Sequence, residues 1–268
     1  GASSEEGDEP GRTAVFDPGG PSLSGLTWLG HSTVVIDLDG TRLVTDPVLR
    51  RRVFHLRRAA AVEPGALGSL DGILVSHSHF DHLDVPSLSR LPRTLPVVCP
   101  TGIGALVRRR GFEQVLEVGP GDTVEVGGRA VRATHAEHRT NRRPFAGRSA
   151  ALGYVVQGSM NVYFAGDTEL FDGMAELGPV VVALLPVSGW GPRMPAGHLE
   201  PSSAAEALLL LRPKVAVPVH WGTFRAPFGP RLDDRAAREF ASTAARLAPD
   251  VEVHVLQIGE TLALEEAG

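Results

Sequence analysis

The sequence predicts an α/β fold, and three observations carry that expectation. Short apolar runs rich in Val, Ile and Leu recur along the 268 residues, separated by Gly, Pro and Asp-Gly turn signals, which is the pattern of strands. A few stretches have helical spacing instead. Over 233–247, Ala236, Ala237, Phe240, Ala244 and Leu247 fall on one face. The ten histidines mostly follow strand-like runs, where α/β proteins usually carry their functional groups.

In chain order, structure is expected from Leu26-Thr27-Trp28-Leu29 onward. Gly30-His31-Ser32 makes a turn, and 33–38 reads as a strand. Asp39-Gly40 is a hairpin signal, so 41–45 returns as the next strand, and Asp46-Pro47 ends it. These pieces form a β-meander. The basic run 50–58 reads as a solvated loop, or as a recruiter of an anionic substrate or an acidic membrane surface. His55 within it has no partner in sequence. Residues 72–75 form a buried strand, and 83–88 turn into a short helix. A strand at 95–99 and a helix at 102–110 follow, the helix stopped by Gly111. Strands are expected at 115–118, 122–126 and 129–134, with glycine turns between them, and a hairpin at 151–157 and 160–165. The all-apolar strand 180–186 leads into a long glycine-rich loop. A helix at 202–211, a strand at 214–219, the helix at 233–247 and strands at 253–257 and 261–264 complete the chain. His254 alternates with Val253 and Val255 and reads as an outward-facing strand residue.

Composition narrows the function. The chain is 43% hydrophobic and 21% charged, ordinary values for a globular enzyme. A formal net charge of -5 speaks against nucleic acid as the main partner. The lone cysteine, Cys99, cannot form an internal disulfide, fits a reducing cytoplasm and reads as a buried apolar residue. No apolar run of about 18 residues and no basic-then-apolar leader is found, so no transmembrane segment is expected. Peripheral membrane contact is not expected either. The polar, acidic segment 1–24 is expected to be disordered, with a single domain over 25–268.

The densest chemistry lies in Ser76-His77-Ser78-His79-Phe80-Asp81-His82, directly after the strand at 72–75. On an extended strand end His77 and His79 point the same way and make a metal-ligand pair. Asp81 and His82 follow the turn and would face a second position nearby. Imidazoles with a carboxylate suit zinc or another borderline divalent ion. A histidine-rich loop or one structural zinc site is the plainer reading of such a run.

This motif resembles the signature of the metallo-β-lactamase fold superfamily. The Trp-Leu-Gly-His-Ser segment at 28–32 and Thr45-Asp46-Pro47 are similar to one branch, which contains ascorbate-phosphate lactonases and the N-acyl-phosphatidylethanolamine-hydrolysing phospholipase D. The resemblance covers nearly all of 25–266. It implies a four-layer αββα sandwich, two mixed β-sheets with helices on the outer faces, and ligands from loops at one edge.

It further implies a dinuclear site. His77, His79 and His138 would hold one ion; Asp81, His82 and His220 the other; Asp167, in Gly166-Asp167-Thr168, would bridge them. His135 competes with His138 for one position, and the resembled branch favours His138, leaving His135 a supporting role. Asp46 could orient a ligand imidazole through its other ring nitrogen. His31 could support the site or contact substrate, or be a turn residue bonded to backbone. His198 would assist catalysis and contact substrate, together with Trp190 and Arg193 of the loop before it. The basic loop 139–148 could bind phosphate or carboxylate, or act as a lid. The cofactors implied are two divalent metal ions, Zn2+ first and Mn2+ or Fe2+ next, which make hydroxide available at neutral pH. Asp81 could also steer the water's proton.

The expected activity is hydrolysis of a phosphodiester or lactone-type ester of a small anionic molecule. Two other classes fit less well. A non-enzymatic metal-binding or sensory module would be expected to have lost a ligand. A redox enzyme using the same cage usually carries a flavodoxin-like partner domain, for which 268 residues leave no room.

Overall fold

Apolar residues that alternate in sequence separate onto the two faces of a strand, and here that alternation builds the layers. The computed structural model describes residues 24–62, 65–139, 149–189, 196–227 and 232–265. The first half contains β1 (Gly25–Trp28), β2 (Val34–Leu38), β3 (Thr41–Thr45), β4 (Arg52–Val53), β5 (Leu56–Arg58), β6 (Gly72–Leu74), α1 (Val85–Leu88), β7 (Val97–Pro100), α2 (Gly104–Arg108) and β8 (Val115–Val118). The second contains β9 (Thr123–Val126), β10 (Arg129–His135), β11 (Leu152–Val156), β12 (Val162–Phe164), a 3-10 turn (Asp172–Glu176), β13 (Val182–Pro186), α3 (Pro201–Leu211), β14 (Val215–Val219), β15 (Phe224–Arg225), α4 (Arg235–Leu247), β16 (Glu252–Val253) and β17 (Thr261–Ala263).

Two seven-stranded mixed sheets result, in the orders β17-β1-β2-β3-β6-β7-β8 and β16-β14-β13-β12-β11-β10-β9. In the first, β17 through β3 pair antiparallel and β3 through β8 parallel. In the second, β16 through β12 pair parallel and β12 through β9 antiparallel. Val34, Ile36, Leu43, Leu74 and Val98 of the first sheet share one core with Val131, Leu152, Tyr154 and Leu184 of the second. Their sequence neighbours Val35, Val44, Ile73, Val97 and Cys99 face the other way and pack with Leu88, Ile103 and Val107 around α1 and α2. The period of two in these strands therefore sorts side chains between the inner and outer faces. On the second sheet, α3 packs against β13 and α4 against β14. They bury Ala204, Ala205, Leu208, Ala237, Phe240 and Ala244. The layers run helix, sheet, sheet, helix, as expected of the αββα sandwich.

Three local differences from the sequence reading have physical causes. The basic run 50–58 is not a solvated loop. Within it β4 and β5 form a hairpin that pairs with β15 in a three-stranded sheet. Val53 and Leu56 point inward and join Val48 and Phe224 in a small apolar cluster, while Arg52 and Arg57 face solvent. The strand expected at 253–257 ends after Val253. His254 still donates its backbone N–H to Ala216 (2.9 Å), and its ring meets Glu252 (Nε2–Oε1 2.8 Å). A 3-10 turn at Asp172–Glu176, between β12 and β13, was not expected from the sequence. Trp190, Arg193 and residues 140–148 of the basic loop lie outside the described residues.

Candidate metal centre

Strand direction gathers the polar groups at one edge. Strands β10 and β12 flank antiparallel β11, so they run the same way as β13 and β14. Their C-terminal ends deliver His138, Asp167, Ser188 and His220. Parallel strands β3 and β6 deliver Asp46 and the 76–82 segment. The backbone is constrained here. Six non-glycine residues among those described have positive φ, and three of them, His31 (55°), Asp46 (33°) and His220 (65°), belong to this edge. Each such conformation costs about 1–3 kcal/mol, so surrounding contacts must hold it.

The donors fall into groups whose ligand atoms all lie within 4.8 Å of one another: His77, His79, His138 and Asp167; His31, Asp81, His82 and His220; and Asp46, His77 and His82. In the first, His79 Nδ1 lies 3.0 Å from His77 Nε2 and 3.1 Å from His138 Nε2. In the second, the Nε2 atoms of His82 and His220 are 3.2 Å apart. Asp167 reaches both groups. Its Oδ2 is 3.7 Å from His77 Nε2 and 3.1 Å from His82 Nε2, and its Oδ1 is 3.3 Å from His220 Nε2. That Oδ1 is buried, and the His220 contact lacks the alignment of a hydrogen bond. A buried carboxylate oxygen without an aligned donor, among converging imidazole nitrogens, suits a divalent cation. Zinc–nitrogen distances of about 2.0–2.1 Å in a tetrahedron put neighbouring nitrogens roughly 3.3 Å apart, close to the separations observed.

The other ring nitrogens are tied down. His138 Nδ1 bonds Gly197 O (2.6 Å), and His220 Nδ1 bonds Ser188 O. Asp46 accepts from Ser76 N at Oδ1 (2.7 Å), and at Oδ2 from Ser76 Oγ (2.5 Å) and His82 Nδ1 (2.7 Å). With its proton given to Asp46, Ser76 Oγ accepts from His77 Nδ1 (2.9 Å). Each of these bonds places a ring proton on Nδ1 and turns Nε2 toward the cluster, as metal-binding histidines require.

Burial, and then the neighbouring imidazoles, sets the charges. Burial followed by His220 lowers His31 to about 3. Burial and His138 lower His79 to about 4. Burial is also the largest cause for His77, held well below its ordinary value, and for His138, which is lowered. His82 is the exception. Burial opposes its charged form, but the Asp167 and Asp81 carboxylates outweigh that and hold it well above its ordinary value. Burial would raise both carboxylates, yet His82 and His31 hold Asp81 well below the usual range, and His220 and His82 do the same for Asp167. Mostly neutral imidazoles beside ionised carboxylates form the protonation state that binds cations.

Of the residues singled out from sequence, His77, His79, Asp81, His82, His138, Asp167 and His220 meet at this edge. His198 is there as well, its Nε2 3.2 Å from Asp167 Oδ2. His31 lies inside, its Nε2 3.1 Å from Asp81 Oδ2 and its ring 3.8 Å from that of His220. His135 does not take the supporting position expected of it. As the last residue of β10 its side chain is 53% exposed and meets Glu137 (3.2 Å), since one step along a strand reverses the face. His55 is exposed on the β4–β5 hairpin and belongs to none of the three groups.

Several contributors were not legible in the sequence. Ser76 relays Asp46 to His77, and Glu169 holds Gly197 N (2.5 Å), whose carbonyl holds His138. Stacked rings of Trp28 and Trp221, 4.8 Å apart, brace the loops bearing His31 and His220. Only the adjacency of Ser76 to the histidine run hinted at its part.

The chain is similar to several known proteins. Residues 41–221 match the family described as a beta-lactamase superfamily domain. A metal-dependent hydrolase of Methanopyrus kandleri is 34% identical over 245 residues, covering 88% of this chain and 98% of the relative. The N-acyl-phosphatidylethanolamine-hydrolyzing phospholipase D 1 of Caenorhabditis elegans is 31% identical over 234 residues, covering 76% of this chain and 65% of the relative. Among solved structures, Igni18, a metallo hydrolase from Ignicoccus hospitalis, superposes with a TM-score of 0.71 at 26% identity, covering 91% of this chain and 99% of the other.

Proposed function

The chain belongs to the beta-lactamase superfamily domain family and is a metal-dependent hydrolase, and from that premise we propose that it uses two divalent metal ions, Zn2+ first, to hydrolyse a phosphodiester or lactone-type ester of a small anionic molecule. The observation that carries the proposal is the reach of Asp167 into both donor groups, with a buried Oδ1 that has no aligned hydrogen bond. In this reading His77, His79 and His138 would hold one ion and Asp81, His82 and His220 the other, with Asp167 within reach of both groups. Bound there, such ions supply Lewis acidity and a water of lowered pKa. The phosphodiester side of the reading draws on the phospholipase D relative.

The chain's own groups have separate tasks. Asp46 and Ser76 orient His82 and His77. His31, neutral at physiological pH, donates from Nε2 to Asp81 Oδ2 and orients that carboxylate. Asp81 would accept a proton from the attacking water. His198 is half-buried beside Asp167 and would donate from Nε2 to charge developing on the ester. Trp190 and Arg193 would contact substrate. A cytoplasmic location belongs to the same reading, since a buried free thiol such as Cys99 suits a reducing compartment.

The test is elemental analysis of purified wild type, Asp167→Ala and His138→Ala, with a screen of lactones and phosphodiesters with and without chelator. About two metal equivalents, reduced in both variants, together with chelator-sensitive turnover of one ester class, are expected. A wild-type content of one equivalent or less, unchanged in Asp167→Ala, would exclude the shared-carboxylate arrangement.

A further inference from the structure

The β4–β5 hairpin and β15 carry five arginines, Arg51, Arg52, Arg57, Arg58 and Arg225, in a chain whose formal net charge is -5. They line two cavities. One, of about 380 Å³, is walled by Arg51, Arg52, Arg57, Arg58, Ala59 and Ala61. The other, of about 320 Å³, shares Arg57, Arg58 and Ala59 and adds Arg225 and Leu232. No residue of the histidine–aspartate groups lines either cavity. Among the described residues none of these five guanidiniums forms an ion pair, whereas the adjacent Arg50 is held by Asp84 (2.6 Å). Guanidinium stays protonated at any physiological pH, so five of them with no ion pair among the described residues repel one another.

Arg58 anchors the floor. It is 8% exposed, and its guanidinium donates to Val48 O (2.6 Å) and Leu29 O. Its Nε has no partner among the described residues. The guanidinium also lies over the Phe224 ring, 5.5 Å from the centroid, and Phe224 meets His31 edge-on at 5.0 Å. The cationic floor is thus one packed ring away from the donor cluster. At the hairpin tip Phe54 is 70% exposed and in a left-handed conformation (φ 48°), its ring edge-on to Phe80 at 4.8 Å.

We propose that this arginine-lined double cavity is a binding site for a phosphate or phosphoester anion, distinct from the metal centre. Forked guanidiniums match pairs of phosphate oxygens, and the cavities are of the size that small ligands fill. The anion neutralises the repulsion among the arginines. The same chemistry is offered by a soluble phosphoester and by a lipid headgroup, which the exposed Phe54 would accompany into the interface.

The experiment uses metal-loaded protein. Inorganic pyrophosphate is titrated calorimetrically into wild type, Arg51→Gln/Arg57→Gln, and the charge-matched control Arg109→Gln/Arg110→Gln on the exposed end of α2. Arg51 and Arg57 are exposed, so their replacement leaves the fold intact, and unchanged metal content checks that the centre is undisturbed. Loss of charge-assisted bonds predicts binding at least about tenfold weaker in Arg51→Gln/Arg57→Gln and a change of less than about twofold in the control. In parallel, cosedimentation with phosphatidylcholine vesicles containing phosphatidylglycerol is measured for wild type and Phe54→Ser. Vesicle binding that both Phe54→Ser and Arg51→Gln/Arg57→Gln abolish assigns the site to a headgroup. Pyrophosphate binding without vesicle binding assigns it to a soluble ester. Equal binding by wild type and Arg51→Gln/Arg57→Gln in both arms, or no binding by wild type, overturns the proposal.

Discussion

Replacing Asp46 with Asn removes one oxygen and no volume, and it tests the orientation of the cluster. Oδ1 takes one donor and Oδ2 takes two, all within 2.7 Å, and the residue is fully buried. All three partners donate, so the amide nitrogen of Asn must face a donor. If it replaces Oδ2, the bonds from Ser76 Oγ and His82 Nδ1 are lost. At about 1.5–3 kcal/mol for each bond to a charged group, the loss is about 3–6 kcal/mol. At about 2–4 °C per kcal/mol for a chain of this size, melting falls by roughly 6–24 °C. His82 can avoid the clash only by moving its proton to Nε2, which removes the lone pair facing Asp167 and His220. Metal affinity should then drop about 10–100-fold. Differential scanning calorimetry of metal-stripped and metal-loaded protein reads the first effect, and chelator competition reads the second. An affinity within about twofold of wild type, with melting shifted by less than about 2 °C, would refute the reasoning. Asp37→Asn on β2, which loses only the pair of a half-buried carboxylate with Arg42 (3.0 Å), should lower stability by less than about 1 kcal/mol.

Gly197→Ala should lower metal content without unfolding the sandwich. Its φ is +93°, and an added Cβ would sit 2.8 Å from His138 Nδ1, so elemental analysis should show loss at the His138 position; full metal content would count against His138 as a ligand. Metal-stripped protein should lose stability as pH falls. His31 and His79 are held at about 3 and about 4, so between pH 6.5 and those values the unfolded chain binds protons that the folded chain does not. His77 and His138 act in the same direction, whereas the contribution of His82, with its raised value, is already complete below 6.5. A melting temperature that rises from pH 6.5 to 4.5 would contradict this. The Cys99 thiol, pushed up to about 12 by burial and then by Glu117, should resist a disulfide reagent at pH 8 in the folded protein and react fully in denaturant; rapid native reaction would show that the α2 layer opens.

Local chemistry made much of the fold legible. Asp39-Gly40 marked the β2–β3 hairpin because few dipeptides tolerate its turn, and both residues do have positive φ. The continuous apolar run of β6 was readable as a buried strand, and the structure divides its side chains between two cores because adjacent side chains on a strand diverge. The basic run at 50–58 misled because its charges dominate any local average, while two inward residues, Val53 and Leu56, decide the structure once Phe224 arrives to cover them. His254 misled in a different way: the pairing of β16 stops at Val253↔Ala216 although β14 runs on to Val219, and no residue near His254 signals that.

At the metal centre the division is clearer still. Spacing by itself made His77 and His79 a pair, because two residues along an extended chain return to the same face. The resemblance carried by the 77–82 motif, with 28–32 and 45–47, pointed to the superfamily that the family match over residues 41–221 shows. The residues alone left His135 and His138 in competition, and only the resemblance favoured His138, because the choice depends on where β10 stops. The strand carries His135 out to solvent, and the chain then turns so that Gly197 O can hold His138. Nor could sequence join Asp46 to Ser76, 30 positions apart, or His220 to His31, far apart in the chain; the first contact exists because parallel β3 and β6 end side by side, the second because the loop after β1 of one sheet meets the end of β14 of the other. The sequence alone determined which donor types the protein has and which layer each strand faces, since both are properties of single residues and their neighbours. Tertiary structure decided which donors meet, which nitrogen of each ring faces inward, and that five arginines share a cavity, because each depends on distances between strands that no local pattern encodes.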